Sequence, residues 1–186
     1  MAEFFFLGIK GSGMAALACI LKSLGHEVSG SDIDKHLFTE EQLHELHIPI
    51  FPFNTLPKEG STVIIGNAFK DDFEDVIKIK ERTDLITYRY HEYLGLLMNE
   101  YTSIGISGSH GKTTSTKMMT SILSAAAPTG YLIGDGHGHL SPEDAYFVVE
   151  ADEYRRFFHS YHPKFALITN VDYDHVDYFK SEEDYR

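Results

Sequence analysis

The chain has 186 residues, of which 42% are apolar and 24% charged, and its formal net charge is −12. That length fits one large or two small soluble domains with a sizeable core, and the acidic balance argues against broad binding to nucleic acids or anionic membranes. A single cysteine, Cys19, excludes an internal disulfide and a cysteine-based zinc site. The sequence shows neither an apolar run of membrane-spanning length nor a signal-peptide pattern, so we expect a cytoplasmic protein.

Strand and helix patterns alternate along the first hundred residues. Short apolar or β-branched runs predict strands at residues 4–8, 26–29, 48–53, 62–65 and 85–88. Helical spacing predicts helices at residues 14–24, 39–47, 73–82 and 90–99. Thr39 and Gln42 have the spacing of a capping box at the start of the second helix. This alternation indicates an α/β fold with a parallel sheet that helices cover on both faces.

A second unit opens after residue 100 with the same order of elements. We predict a strand at 104–107, a glycine-rich loop, a helix at 112–126, and further strands at 130–133, 145–149 and 165–169. The sequence therefore predicts two α/β domains, residues 1–99 and residues 100–186. Since residues 181–186 add no closing element to the second domain, we expect the chain to be the N-terminal part of a longer protein.

The most specific motif is a phosphate-binding loop between the predicted strand and helix of the second unit. Its residues are Gly108-Ser109-His110-Gly111-Lys112-Thr113-Thr114. Glycines let backbone N–H groups approach phosphate oxygens, and the following helix N-terminus adds a favourable dipole. Lys112 would neutralise phosphate charge and the Thr113 hydroxyl would bind Mg²⁺. Ile106 stands where the longer form of this loop has a glycine, so the loop is the short Gly-x-x-Gly-Lys-Thr kind.

Two later strands end in polar residues. The run at 148–153 delivers Glu150, Asp152 and Glu153 at a strand end, where a carboxylate can hold the Mg²⁺ of a bound nucleotide. The run at 168–177 brings Asn170 and His175 to a similar place, as candidates to bind metal or orient ligand. On spacing alone, solvated turns rich in Asn and Asp would look the same.

A second glycine-rich loop lies near the start of the chain. It reads Gly11-Ser12-Gly13-Met14-Ala15-Ala16 between a strand and a helix, and Asp32 follows Gly11 by 21 positions. This is the fingerprint of a Rossmann-like domain, and it fits either NAD or another nucleotide with a diphosphate. His137 and His139 lack a sensibly spaced third zinc ligand, so we expect solvated or supporting roles for both.

Together these motifs resemble those of the Mur ligases, in the family's order and over nearly the whole chain. The segments that carry the resemblance are residues 6–14, 30–32, 108–114, 150–153 and 169–175. The resemblance implies three domains, which bind a UDP-sugar, ATP and the amino acid in turn, and only the first and the start of the second are present. It implies an ATP-dependent ligase that joins L-alanine to the carboxylate of UDP-N-acetylmuramate through an acyl phosphate, in peptidoglycan precursor synthesis. The present chain is not expected to turn over alone.

The resemblance also assigns roles to individual residues. Lys112, Glu150 and His175 are expected to be catalytic, and Thr113, Glu150 and His175 to bind Mg²⁺, with His175 at a second ion. ATP is expected to contact Gly108, Ser109, His110, Gly111, Lys112, Thr113, Thr114 and Asn170. The UDP-sugar is expected to contact Gly11, Ser12, Gly13, Met14 and Asp32. Lys10 stands where many relatives have glycine and would add a cation near the diphosphate.

Three alternatives remain open at the level of sequence. A ligase that recycles murein tripeptide onto the same UDP-sugar has similar N-terminal motifs. A nicotinamide-binding module accounts for Gly11, Gly13, Ala16 and Asp32 but leaves the second loop unexplained. A nucleotide switch without ligase activity leaves the first domain unexplained. Affinity for NAD would favour the nicotinamide-binding module, and a preference for GTP over ATP would favour the nucleotide switch.

Overall fold

The structure is a computed structural model, and it describes residues 1–151, 158–172, 181 and 183. Strands and helices alternate along the chain. The strands are β1 (Glu3–Leu7), β2 (Glu27–Asp32), β3 (Ile50–Pro52), β4 (Thr62–Ile65), β5 (Ile86–Arg89), β6 (Thr102–Ser107), β7 (Thr129–Leu132), β8 (Gly138–His139), β9 (Tyr146–Glu150) and β10 (Phe165–Ile168). The helices are α1 (Ser12–Ser23), α2 (Glu40–Glu45), α3 (Glu74–Lys80), α4 (Tyr90–Asn99) and α5 (Lys112–Ser124).

The first sheet has the strand order β3-β2-β1-β4-β5, with every neighbouring pair parallel. The strand order reverses between β1 and β4. Phe4 of β1 pairs with Val28 of β2 on one side and with Thr62 of β4 on the other. At such a reversal the loops that follow the two strands diverge and leave a crevice at the carboxyl edge of the sheet. The Rossmann-like prediction is confirmed, and the proline-containing β3 lies at the sheet edge, where a residue without an N–H is tolerated.

Helices cover the first sheet on both faces because successive side chains of a strand point to opposite sides. Phe4 and Phe6 pack into a core formed mainly with α1 and α4. Phe5 and Leu7 belong to a separate core that includes Val76 of α3. All four side chains are almost fully buried, and each such burial stabilises the fold by roughly 1.5–3 kcal/mol.

The second sheet has the order β10-β6-β9-β7-β8, parallel except for the antiparallel β7–β8 pair. Ile104, Ile106 and Val148 pack against α5 on one face. Phe147 and Val149 on the other face join the core of α1 and α4. Helices α1 and α4 therefore lie between the two sheets. The sheets divide between β5 and β6, and the assignment of 1–99 and 100–186 as separate domains stays a prediction.

One local expectation is wrong, and one short strand was not predicted. Strand β8 was missed, because a two-residue strand with a glycine carries too little apolar pattern to be recognised. The capping box of α2 does not form: the Thr39 hydroxyl donates to the Lys10 carbonyl at 2.5 Å, and the Gln42 side chain bonds to Gly138. Both side chains serve tertiary contacts that the local sequence does not encode.

The remaining expectations about the interior concern Cys19 and membrane spans. Cys19 is fully buried on α1, and burial, followed by the nearby Glu45, raises the pKa of its thiol to about 12. It is a core residue of the apolar helix α1. In the ranges that the structure describes, no helix has the length and apolar composition needed to cross a bilayer.

Candidate active site between two glycine-rich loops

The first glycine-rich loop connects β1 to α1 and is anchored on β2. Gly8 has a φ of +85°, and the N–H groups of Gly8 and Ile9 donate to the Ser31 carbonyl at 2.8 and 3.3 Å. A Cβ on Gly8 would lie 2.2 Å from the Phe69 ring, so no other residue fits there. Helix α1 begins at Ser12. Its first N–H groups have no partner within the helix, and the residues that carry them line the crevice.

The second loop joins β6 to α5 and requires glycine at both ends. Gly108 and Gly111 have φ values of +134° and +80°, and a Cβ on Gly108 would lie 2.2 Å from the Thr169 hydroxyl oxygen. Lys112, the first residue of α5, donates from Nζ to the Gly108 carbonyl at 2.6 Å. Its ammonium group therefore lies across the mouth of the loop, where a phosphate would be held.

Asn170 clamps the backbone of this loop. Its Oδ1 accepts from the His110 N–H at 3.0 Å, and its Nδ2 donates to the His110 carbonyl at 3.1 Å. The Thr169 hydroxyl donates to the same carbonyl at 2.7 Å. The Ser109 hydroxyl donates to the Asp172 carbonyl at 2.5 Å. Asn170 thus fixes the loop from the end of β10, and its direct contact with nucleotide stays a prediction.

Glu150 reaches the second loop from the end of β9. Its Oε1 accepts from the Thr113 hydroxyl at 3.1 Å, and its Oε2 accepts from the Gly134 N–H at 2.8 Å. A hydroxyl and a carboxylate oxygen side by side are the hard donors that Mg²⁺ prefers, usually with phosphate and water completing the shell. These two protein oxygens are enough for Mg²⁺ when phosphate and water supply the other ligands. In the described part of the chain, no group of three His, Cys, Asp or Glu has metal-binding geometry.

Several predicted residues lie outside the described residues. Asp152, Glu153 and His175 belong to these, so the second Mg²⁺ ligand set stays a prediction. Of the same run at 168–177, Asp172 is described, and its Oδ2 lies 4.0 Å from His110 Nδ1.

Both loops open into one cavity of about 540 Å³, a size suited to a nucleotide ligand. From the first loop it is lined by Gly11, Ser12, Gly13 and Met14, together with Asp32 from the end of β2. Lys112 at the start of α5 and Glu150 at the end of β9 line it from the other side. The structure thus brings the first loop, Lys112 of the second loop and Glu150 to one cavity.

Part of this cavity wall carries no recognisable sequence motif. The turn after β4, residues 66–69, and Tyr90 at the start of α4 line the crevice at the reversal of strand order. A Cβ on Gly13 would lie 2.5 Å from the Tyr90 hydroxyl oxygen, so the glycine allows close approach of that ring. Asn67 Oδ1 lies 2.8 Å from His91 Nδ1, and burial lowers the pKa of His91. Knowledge of the strand order would have been enough to predict this part of the wall, but the sequence alone does not reveal which strands are neighbours.

Lys10, expected to add a cation near the diphosphate, has its ammonium group engaged by protein groups, and its effect on a diphosphate stays a prediction. Its side chain is buried, and Nζ donates to the carbonyls of Ile33 and Lys35 at 2.8 and 3.0 Å and pairs with Glu40 at 3.0 Å. A buried ammonium needs such partners, and here the chain after β2 and the first residue of α2 supply them. These contacts give Lys10 a structural role.

Asp32 and the two histidines also have defined surroundings. The Asp32 carboxylate accepts from the N–H groups of Lys10 and Ile33, each at 2.7 Å, so its contact with a uridine stays a prediction. His137 Nδ1 lies 3.0 Å from Asp135 Oδ1, and His139 is exposed beside Tyr131.

Comparisons with known proteins agree with this geometry. The sequence model described as "Mur ligase family, catalytic domain" matches residues 3–102, and "Mur ligase middle domain" matches residues 106–186. The UDP-N-acetylmuramate–L-alanine ligases of Lactiplantibacillus plantarum and Lacticaseibacillus casei are 51% and 50% identical over 97% and 98% of this chain. The chain spans 42% of the length of these two relatives.

Two solved structures extend the similarity to three dimensions. The UDP-N-acetylmuramate:L-alanyl-gamma-D-glutamyl-meso-diaminopimelate ligase from Neisseria meningitides has a TM-score of 0.84 at 28% identity, and the match covers 100% of this chain and 65% of that one. The UDP-N-acetylmuramate-alanine ligase from Thermotoga maritima has a TM-score of 0.81 at 27% identity, covering 100% and 45%. With a catalytic-domain match over more than half of its residues, the chain belongs to the Mur ligase family.

Proposed function

We propose that this chain is part of an ATP-dependent ligase that joins L-alanine to the carboxylate of UDP-N-acetylmuramate. Residues 1–99 would bind the UDP-sugar, and residues 100–186 would begin the ATP-binding domain. One observation carries the proposal: Gly11, Gly13, Lys112 and Glu150 line the same cavity. Reaction between an acceptor on one nucleotide and the terminal phosphate of another requires such a shared space. The names of the 50–51% identical relatives support the choice of substrates.

The two loops would divide the binding between them. The diphosphate of the UDP-sugar would lie at the N-terminus of α1, over Ser12 and Gly13, where backbone N–H groups and the helix dipole favour an anion. The phosphates of ATP would lie on residues 108–114 at the start of α5. The sugar carboxylate would then point toward Lys112, on the side of the cavity formed by the second sheet.

The chemistry demands charge neutralisation more than a protein nucleophile. The sugar carboxylate attacks the γ-phosphorus of ATP and forms an acyl phosphate, with ADP leaving. The amine of L-alanine then attacks the acyl carbonyl, and phosphate leaves as the amide forms. Lys112 would offset the repulsion between the two approaching anions. Thr113 and Glu150 would hold Mg²⁺, which supplies further positive charge at the phosphates. Closure around the site would keep water from the acyl phosphate.

This proposal places the reaction among the soluble precursors of peptidoglycan, in the cytoplasm, with a role in cell shape and division. It involves small molecules only, without nucleic acid or membrane as partner. The test is phosphate release by the full-length protein when ATP, Mg²⁺, UDP-N-acetylmuramate and L-alanine are supplied together and then omitted one at a time. We expect release to need all of them. Release that ignores the UDP-sugar would overturn the proposal.

A second candidate follows from the structural neighbour with a TM-score of 0.84, whose name specifies a peptide rather than a single amino acid. The first two domains would bind UDP-N-acetylmuramate and ATP in either enzyme. Replacing L-alanine by the tripeptide L-alanyl-γ-D-glutamyl-meso-diaminopimelate in the same assay separates the two. Turnover with the tripeptide and none with L-alanine would favour the second candidate.

A further inference from the structure

The side chain of Gln42 connects the two halves of the molecule. Gln42 lies on α2 beside the first sheet, and its Oε1 accepts from the Gly138 N–H at 3.0 Å. Its Nε2 donates to the Gly138 carbonyl at 3.2 Å. Gly138 belongs to β8 at the edge of the second sheet. A single carboxamide thus satisfies both backbone groups of a residue 96 positions away, and it does so half-buried.

The backbone around Gly138 packs so closely on the first half that side chains are excluded. A Cβ on Gly138 would lie 2.2 Å from the carbonyl oxygen of Ala16 in α1. A Cβ on Gly136 would lie 3.2 Å from Cβ of Thr39. Thr39 in turn donates to the Lys10 carbonyl in the first glycine-rich loop. The turn between β7 and β8 therefore contacts α1 and Thr39 directly, and Thr39 is bonded to the first glycine-rich loop.

The same turn holds the carboxylate proposed to bind Mg²⁺. The turn is tight, since the Ile133 N–H donates to the His137 carbonyl at 2.9 Å. Within it, the Gly134 N–H donates to Glu150 Oε2 at 2.8 Å. The other oxygen, Oε1, accepts from Thr113. The position of Gly134 decides where Oε2 is held, and Gln42 fixes the far end of the turn.

We propose that Gln42 is a positioning residue for the metal-binding carboxylate of Glu150. It acts through Gly138 and Gly134 and does not touch the reacting groups. In this way the domain that binds the UDP-sugar orients a group of the ATP site. The inference rests on the proposed function for its metal, because Mg²⁺ at Thr113 and Glu150 is part of that proposal.

Two variants of Gln42 and one matched control test this role in the full-length protein. Gln42→Met keeps the length of the side chain and loses both hydrogen bonds. Gln42→Glu keeps an acceptor for the Gly138 N–H and loses the donor to its carbonyl. Glu41→Gln changes an exposed neighbour on the same helix and is the control. Thermal unfolding of each variant shows that it is folded.

The first measurement is hydrogen exchange of the amides of residues 133–139, which needs neither ligand nor activity. We expect exchange at Gly134 and Gly138 to accelerate by about tenfold in Gln42→Met, by less in Gln42→Glu, and not in Glu41→Gln. The second measurement is calorimetric binding of a non-hydrolysable ATP analogue at increasing Mg²⁺. We expect the Mg²⁺ concentration for half-maximal binding to rise in the same order.

The outcomes separate this inference from the proposed function. A folded Gln42→Met protein with unchanged exchange and unchanged Mg²⁺ dependence overturns the role of Gln42. Loss of thermal stability without a shift in Mg²⁺ dependence also overturns it, because a merely structural contact would behave in that way. If Gln42→Met does not fold, Gln42→Glu decides by the same criteria. Wild-type protein that fails to bind the ATP analogue at any Mg²⁺ concentration contradicts the proposed function instead.

Discussion

The hydroxyl of Thr113 lies 3.1 Å from Oε1 of Glu150, although 37 positions separate the two residues. Parallel pairing of β6 with β9 produces this proximity, because it brings the end of β9 beside the loop that follows β6. The two oxygens that we propose as Mg²⁺ ligands are therefore side by side in the fold itself, at the start of the helix that carries Lys112. Such preorganisation reduces the reorganisation that phosphoryl transfer would otherwise require.

Replacing the lysine of the second loop tests the charge that the reaction needs. In the full-length protein, Lys112→Ala should lower ATP-dependent phosphate release by about a hundredfold or more, because in the proposed reaction the approach of carboxylate to phosphate would lose the charge of this lysine. Lys80→Ala, which removes an exposed lysine of α3, is the control and should keep the wild-type rate. Turnover close to normal in Lys112→Ala would remove this loop from the active site.

A double-mutant cycle tests whether Thr113 and Glu150 act on one metal ion. Thr113→Val and Glu150→Gln should each raise the Mg²⁺ concentration required for half-maximal phosphate release. Their effects should be less than additive in the double variant, since residues that hold the same ion act as a unit. Independent, additive effects in the Mg²⁺ titration would mean that the two side chains serve separate functions.

Asn170 should affect the affinity for ATP through the shape of the loop. Asn170→Asp keeps an oxygen for the His110 N–H but places an acceptor against the His110 carbonyl, which lies 3.1 Å from the native Nδ2. We expect the KM for ATP to rise several-fold while the KM for the UDP-sugar stays unchanged. Asn99→Ala, at the exposed end of α4, is the control. A larger effect on the UDP-sugar than on ATP would show that Asn170 acts elsewhere.

Glu40 should make stability depend on pH in the acidic range. Burial alone would raise the pKa of its carboxyl, but the Leu37 N–H, the Lys10 ammonium and His44 outweigh that effect and lower the pKa to about 2, against an ordinary value of 4.5. A depressed pKa stabilises the folded state above pH 4.5, and this contribution is lost as the pH falls toward 2. It amounts to roughly 1–3 kcal/mol at neutral pH.

Urea unfolding of wild type and Glu40→Gln at several pH values measures this contribution. The difference in the free energy of unfolding should be constant between about pH 5 and 7 and should shrink as the pH falls further. A difference that stays the same down to pH 3 would show that the Glu40 carboxyl is not the titrating group.

The sequence predicted those features that local pattern determines. Strand β4 and helix α4 begin and end at the predicted residues, because a β-branched run and a ten-residue amphipathic stretch each have one clear period. Both glycine-rich loops lie where their motifs predicted, since positive φ and close packing require glycine at positions such as Gly8 and Gly108. These constraints involve residues that are close in the sequence, so they can be predicted without knowledge of the fold.

Features set by distant contacts could not be predicted in this way. Thr39 and Gln42 have the spacing of a cap, yet they bond to Lys10 and Gly138, 29 and 96 positions away. Lys10 follows the first strand like a loop cation, yet Glu40 and two carbonyls draw it into the interior. The cavity wall at residues 66–69 depends on β4 lying beside β1, which only the strand order reveals.

The most direct test of the whole account is calorimetric titration of this chain with UDP-N-acetylmuramate and, in a separate cell, with NAD. The nucleotide on the loop at Gly11 distinguishes a ligase from a nicotinamide-binding module, since the same fingerprint serves both. We predict saturable heat with the UDP-sugar and none with NAD. Saturable heat with NAD and none with the UDP-sugar would contradict the account and make the first domain a redox module.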